Sequence, residues 1–216
     1  MNKTHISLIA AALTVFFAGC GLRGIPGNGH IKTEQRAIGA FAQIQADGAF
    51  DIEWHSGAPA LSIATDGNLL QYIDNEISGD RLRIHSTKRL APTHSIKVVI
   101  SSATLSGAHL TGATRLKANQ ISGDKFYLKA TGASEITMNG SINELLASLT
   151  GASELNAKSL QTKIVEISTT GAADAEVTVT ETLKVAITGA GSVNYFGNPP
   201  NVEKHVTGAG TIKHRE

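Results

Sequence analysis

Apolar and polar residues alternate along most of this chain with a period of two, the pattern of strands that bury one face. Phe41, Ile44 and Ala46 lead into Gly48. Phe50, Ile52 and Trp54 then alternate with Asp51, Glu53 and His55. Leu61-Ser62-Ile63-Ala64 precedes a turn at Asp66-Gly67-Asn68, Arg81-Leu82-Arg83-Ile84-His85 alternates cleanly, and Ile96-Lys97-Val98-Val99-Ile100 is a β-branched run. Only Leu69 to Glu76 (LLQYIDNE) reads as a turn or two of helix. Phe50 and Trp54 share the apolar parity of their strand and are assigned to a core, not to a ligand site.

The pattern becomes periodic on a longer scale after residue 105. Thr-Gly-Ala recurs with its threonine at 111, 131, 150, 170, 188 and 207, at spacings of 20, 19, 20, 18 and 19 residues. A repeat near 20 residues predicts a solenoid. Aligned on the glycines, the residues one, three and five before the threonine and the fifth after it are apolar with few exceptions. Examples are Leu110 and Ile187, Leu128 and Val185, Phe126 and Leu183, and Leu116 and Val193. The residues between them are mostly polar, such as Lys129, Glu166 and Lys184. Alternation on both sides of a fixed turn gives two strands per repeat, and Ile121, Ile142, Leu160 and Val179 mark a third short one. The expected fold is all-β, a parallel β-helix with coils of about 19 residues stacked about 4.8 Å apart, so that six coils rise roughly 25–30 Å. A leucine-rich-repeat coil would carry a Leu-rich pattern and an Asn ladder, and neither is present.

The motif reads as a structural corner. Gly112, Gly132, Gly151, Gly171, Gly189 and Gly208 supply a turn with positive φ and close backbone approach. The alanine is expected to fit a crowded inner corner, and stacked threonines to bond through their hydroxyls along the ladder. A phosphate-binding loop would need a following Lys and a helix.

With its opening Phe41 and Asp47-Gly48-Ala49-Phe50-Asp51-Ile52, its Asp66-Gly67-Asn68-Leu69-Leu70-Gln71-Tyr72-Ile73 and its repeats ending in Thr207-Gly208-Ala209-Gly210, the chain resembles the bacterial auto-transporter adhesin head GIN domain family. The resemblance spans roughly Phe41 to His214. It implies an exported or lipid-anchored protein with a right-handed single-stranded β-helix and an adhesive role, and it brings no catalytic residues to carry over.

The N-terminus places this domain. Met1 to His5 hold one Lys and no acid, Ile6 to Gly19 (ISLIAAALTVFFAG) run without charge, and Cys20 follows. This is a signal peptide over residues 1–19, too short to span a bilayer as a helix. Phe17-Ala18-Gly19-Cys20 resembles the lipobox of bacterial lipoproteins, with Phe where Leu, Val or Ile is usual. The sole Cys of the chain cannot form an internal disulfide, and lipidation of Cys20 gives it a use. Gly21, in place of Asp at that position, favours the outer membrane in enterobacterial sorting. Residues 20–37 read as the lipidated Cys and a flexible tether, and residues 38–216 as the β-helix domain. Of 19 Lys and Arg and 18 Asp and Glu, only Lys3 is removed with the signal peptide. The balanced remainder gives no field to draw in nucleic acid. The partners expected are the membrane, through the N-terminal lipid, and a glycan or protein ligand.

One polar column stands out as candidate chemistry. The fourth residue after each threonine is Arg115, Glu135, Glu154, Asp174, Ser192 and Thr211. These should point outward as a carboxylate ladder with Arg115 at one end, flanked by Lys117, Thr137, Asn156 and Glu176. Such a strip is a solvated face, a weak cation or sugar site, or the acid cluster of a β-helix polysaccharide lyase or hydrolase. An enzyme requires the acids to line a groove beside basic residues. No metal or cofactor is expected. His109 and His205 share an outward column five coils apart, out of reach of a common metal, and His214 has inward parity at the C-terminal edge. Asn139-Gly140-Ser141 reads as a turn. Free edges at the ends of the helix offer a route to a homo-oligomer unless the charged tail Thr211–Glu216 covers one. The leading reading is a lipid-anchored, non-catalytic envelope protein in adhesion or envelope structure. The alternatives are a carbohydrate-active enzyme and a periplasm-facing module that binds a partner protein.

Overall fold

The structure, a computed structural model, describes residues 24–216. Cys20 and the signal peptide lie outside the described residues. In chain order the strands are β1 (Ile25–Pro26), β2 (Ile31–Arg36), β3 (Gln43–Gly48), β4 (Phe50–Ser56), β5 (Ala60–Asp66), β6 (Ile73–Ser78), β7 (Arg81–Ser86), β8 (Leu90–Ala91) and β9 (Ile96–Ser102). The repeats follow as β10 (Gly107–Gly112), β11 (Arg115–Gly132), β12 (Glu135–Gly151), β13 (Glu154–Gly171), β14 (Asp174–Gly189), β15 (Ser192–Phe196), β16 (Asn201–Gly208) and β17 (Thr211–Arg215). They form a β-solenoid of about five turns with coils about 20 residues apart.

The glycine corner sets the register. Thr111, Thr131, Thr150, Thr170, Thr188 and Thr207 lie in one column, with the six glycines in the next. The motif alanines from Ala113 to Ala190 each donate their N–H to the carbonyl of the glycine one coil below, as from Ala133 to Gly112 at 2.9 Å and Ala152 to Gly132 at 2.9 Å. Asp47-Gly48-Ala49 is an unrecognised first rung, because Thr111 pairs with Asp47 and Ala113 donates to the Gly48 carbonyl at 3.0 Å. The unequal repeat spacing is absorbed at the opposite corners. Register shifts occur at Ala118/Ile121, Thr137/Asn139, Ala157/Gln161 and Thr162/Ile164, and none falls at a Thr-Gly-Ala corner. Asn139 serves such a corner, its Oδ1 accepting the Gln120 N–H at 2.7 Å and its Nδ2 donating to the Asn119 side-chain Oδ1 at 2.8 Å.

Two expectations for the motif are corrected. Ala113, Ala133, Ala152, Ala172 and Ala190 are exposed, and the buried corner residue is the next one, Thr114, Ser134, Ser153 or Ala173. Positive φ at the glycine turns the chain one residue later than alternation alone implies. The stacked threonines are exposed or half-exposed, and no hydroxyl-to-hydroxyl bond joins them among the described residues. At this corner the hydroxyl that bonds across coils is the inner one, as from Thr114 to the Gly48 carbonyl at 3.1 Å.

The N-terminal part is not stacked in chain order. β3 lies between β7 and β10, and β4 between β9 and β11, so the layer holding residues 81–102 is below the one holding 43–56. Antiparallel strands close this end: β6 on β7, and β2 on β5, itself antiparallel to β9. Residues 31–36 are therefore a strand and not tether. Their side chains are almost all exposed, so no apolar periodicity marks them, and their backbone covers an edge that would otherwise be open. Arg36 fixes β2 by donating to the carbonyls of Ile73 (2.6 Å) and Leu70 (3.0 Å). The helical expectation shrinks to one 3₁₀ turn, Leu70–Tyr72, because Ile73 enters a ladder with Ser86.

Asp66 ties this cap together. Its fully buried carboxylate accepts the N–H groups of Gly29 (2.6 Å) and Thr93 (2.9 Å) and the Thr93 hydroxyl (2.9 Å). Burial pushes the carboxyl up, but the Thr93 and Gly29 donors outweigh it and hold it below the ordinary value. The interior is filled from end to end, with Ile44, Leu110, Phe126, Leu145, Val165 and Leu183 fully buried. Truncating a side chain such as Phe126 to Ala would cost about 3–5 kcal/mol. Phe50 and Trp54 belong to this core, and the Trp54 indole donates to the Ser102 hydroxyl at 2.9 Å.

Candidate functional site

Two broad faces of the solenoid carry outward side chains at coil spacing. The first holds the predicted polar column. Arg115, Glu135, Glu154, Asp174 and Ser192 are in register on β11 to β15, and Asp51 on β4 extends the column below Arg115. Arg115 Nε donates to Glu135 Oε2 at 2.8 Å, with a guanidinium nitrogen 3.9 Å from Asp51 Oδ2. Asp174 Oδ1 accepts the Ser192 N–H at 2.8 Å and its hydroxyl at 2.7 Å. The acids divide between two shallow depressions. Glu135 borders one with Asp51, Arg115 and His94, and Glu154 and Asp174 border a smaller one with Asn156, Glu176 and Asn194, which holds no basic residue. Sequence reading missed Asp51 because its rung carries Asp47 where the later rungs carry Thr. No group of three metal-binding side chains is found among the described residues.

The opposite face ends at the threonine column. Its middle column runs Gln45, His109, Lys129, Ser148, Ser168, Ala186 and His205, and the next runs Gln43, Gly107, Tyr127, Leu146, Glu166, Lys184 and Glu203. Arg81 pairs with Gln43 at the lower end. Here lies an open depression of about 430 Å³, bordered by Arg81, His109, Tyr127, Lys129, Ser148 and Glu166. Its shape follows from side-chain size. Gly107 lets Gln43 and Tyr127 close over the backbone, since even a Cβ there would stand 3.0 Å from the Tyr127 carbonyl oxygen, and Ser148 and Ser168 leave a low floor beside Lys129. Tyr127 is 53% exposed, with Leu146 next to it in the column. Burial holds the His109 imidazole below its ordinary pKa, and Lys129 and Arg81 push it the same way against Asp47.

Sequence reasoning placed His109 and Lys129 outward but did not select this face. The signal was present four residues before each threonine. That column is polar or Gly in most repeats, yet it carries Tyr127 and Leu146 at outward parity.

A family model described as "Putative auto-transporter adhesin, head GIN domain" matches residues 40–199. The chain belongs to that family. The head GIN assignment agrees with the fold of solved structures. A "putative adhesin" from Bacteroides fragilis aligns at 22% identity and TM-score 0.69, covering 89% of this chain and 100% of that one. A "putative lipid binding protein" from Parabacteroides distasonis aligns at 20% identity and TM-score 0.57, covering 89% and 99%. A "putative adhesin" from Parabacteroides merdae aligns at 21% identity and TM-score 0.51, covering 89% and 99%. At these identities the likeness concerns the fold. Among curated proteins, none matches the sequence. Within this head GIN domain the two faces differ in kind: one is a charged strip engaged largely with itself, the other an open depression with an exposed aromatic ring.

Proposed function

We propose that this protein is a lipid-anchored, non-catalytic binding protein of the outer membrane, whose solenoid serves as a rigid adhesive head. The observation that carries the reading is the threonine-face depression. An exposed Tyr127 and unpaired polar groups are held there on a hydrogen-bonded ladder whose positions do not depend on a ligand. Family membership supports an adhesive or binding role at the cell surface or envelope. The Phe17-Ala18-Gly19-Cys20 motif supports acylation of Cys20.

The acidic column argues against catalysis. Hydrolysis of a glycosidic bond needs two carboxylates facing one gap. Glu135 is bound by Arg115, and although Glu154 and Asp174 do share a depression, the Ser192 N–H and hydroxyl hold Asp174 as a hydrogen-bond acceptor and no basic residue lines that opening.

The anchor and the role are tested together in cells. Labelled palmitate should enter the full chain and be absent from Cys20→Ser, which should leave the membrane fraction. Cells carrying the full chain should be retained on a matrix-coated surface, and Cys20→Ser cells should not. Label retained in Cys20→Ser sinks the anchor. Equal retention of the two strains sinks adhesion, and protection of the chain from surface biotinylation would point to a periplasm-facing module instead.

A further inference from the structure

The threonine face carries two cations, Arg81 and Lys129, that make no ion pair among the described residues, and we propose that it binds an acidic polysaccharide, a polymer of uronic acids, laid across the coils over Tyr127. The assignment rests on the binding reading above and names its ligand class. Its first support is the pattern of ion pairs. Among the described residues Arg36 pairs with Glu34, Arg83 with Asp47 and Glu76, Arg115 with Glu135 and Asp51, Lys125 with Glu144 and Lys184 with Glu203. Arg81 and Lys129, which border the depression, make no ion pair, and Arg81 is engaged only by the Gln43 side chain at 3.1 Å. Two cations against one carboxylate, Glu166, leave this opening net positive, which favours an anionic partner.

The second support is the apolar surface between them. Tyr127 and Leu146 give a flat patch on which the C–H face of a sugar ring can lie, with the Lys125 Nζ 5.8 Å from the centre of the Tyr127 ring. A simple anion or an acidic peptide has no comparable use for that ring. The third is repetition. The side chains of one column recur about every 4.8 Å, so a polymer of repeating rings running from Arg81 past Gly107 to Tyr127 and Glu166 meets a matching series of positions. Arg81 and Lys129 would take ring carboxylates. Ser148, Ser168 and Glu166 would bond ring hydroxyls.

Fluorescence anisotropy of a labelled oligogalacturonate, titrated with the detergent-solubilised full chain, tests this. The wild type should bind, Tyr127→Phe should match it, and Tyr127→Ala should bind about tenfold or more weakly, as loss of a central aromatic contact does. Arg81→Gln combined with Lys129→Gln should weaken binding at least as much and flatten its salt dependence. Lys117→Gln, on the opposite face, should change nothing. All substituted side chains point outward, and unchanged melting midpoints would show that the fold is intact. Labelled dextran, which is neutral, and polyglutamate, which is acidic but has no rings, should bind far less. Equal binding of polyglutamate, or equal weakening by Lys117→Gln, overturns the site. Dextran bound through Tyr127 overturns the acidic ligand class and leaves a binding face. Failure of the wild type to bind any of the saccharides overturns the proposal alone, because the retention of whole cells is measured without them.

Discussion

Lys204 reaches across the last coil so that its Nζ lies 4.9 Å from the centre of the Tyr195 ring and 3.3 Å from the Tyr195 hydroxyl. Lys204 occupies a column that is apolar in the coils below, where Val185 and Ile167 are buried. His214 adds a second cover, stacked on the same ring at 5.0 Å with Nε2 2.8 Å from the Gly197 carbonyl oxygen. β16 is otherwise an open edge, with Val202 39% and Val206 40% exposed. An inward-pointing charge is a recognised defence of such an edge, because a second strand docking there would bury it.

Lys204→Leu should therefore convert the edge into an apolar strip of residues 202, 204 and 206 and promote pairing between copies. Light scattering on detergent-solubilised chains should find the variant larger than the wild type, increasingly so with concentration. A variant that stays the size of the wild type would show that the cap does not depend on the lysine.

The corner glycines differ sharply from Gly39. A Cβ at Gly171, where φ is +105°, would stand 2.7 Å from the Gly151 carbonyl oxygen. At Gly39 a Cβ would meet only the Ile77 Cδ1 at 3.8 Å. Gly171→Ala should cost about 1–3 kcal/mol, the scale of a residue forced into a sparsely populated backbone region, and Gly39→Ala should be close to neutral. Urea denaturation of the two variants decides this, and equal midpoints would contradict the corner account.

Much of this was legible from the repeat itself. The period and the apolar columns gave the coil, and the fourth residue after each threonine gave the polar column from Arg115 to Asp174 in register. What stayed hidden has physical causes. β2 lacks an apolar stripe because it only covers an edge, and Asp47-Gly48-Ala49 departs from the motif at its first residue. The stacking of residues 81–102 beneath 43–56 depends on long-range pairing that no local pattern encodes. Tyr127 was passed over because a lone aromatic at outward parity carries no sign, in sequence, of what surrounds it.

Thr169 is a polar exception in an inward column whose other members include Leu110, Ala130, Leu149 and Ile187. It is 2% exposed, and its hydroxyl has no hydrogen-bond partner. An unpaired buried hydroxyl costs about 1–3 kcal/mol, and Val replaces Thr with nearly the same shape. Thr169→Val should accordingly raise the unfolding free energy by about 1 kcal/mol or more. A fall in stability would mean that the hydroxyl is satisfied by water or has a role on the inside.

His109 makes the threonine face sensitive to pH, and the sign follows from its surroundings. Burial, then Lys129 and Arg81, hold its pKa below the ordinary 6.5, with Asp47 opposing them. In the free protein the unfolded chain thus holds more protons than the folded one between the lowered pKa and 6.5, so this histidine's contribution to stability is present above that window and lost as pH falls through it. An anionic ligand over Arg81 and Lys129 reverses the local field and favours the imidazolium, so binding takes up a proton. Affinity for oligogalacturonate should then rise as pH is lowered from about 7.5 to about 5.5, the range in which a histidine titrates. Uronate carboxylates remain ionised over that range. His109→Gln should bind with an affinity independent of pH there. A wild-type affinity that is flat or falling would place the bound anion away from His109, and with it away from the centre of the depression.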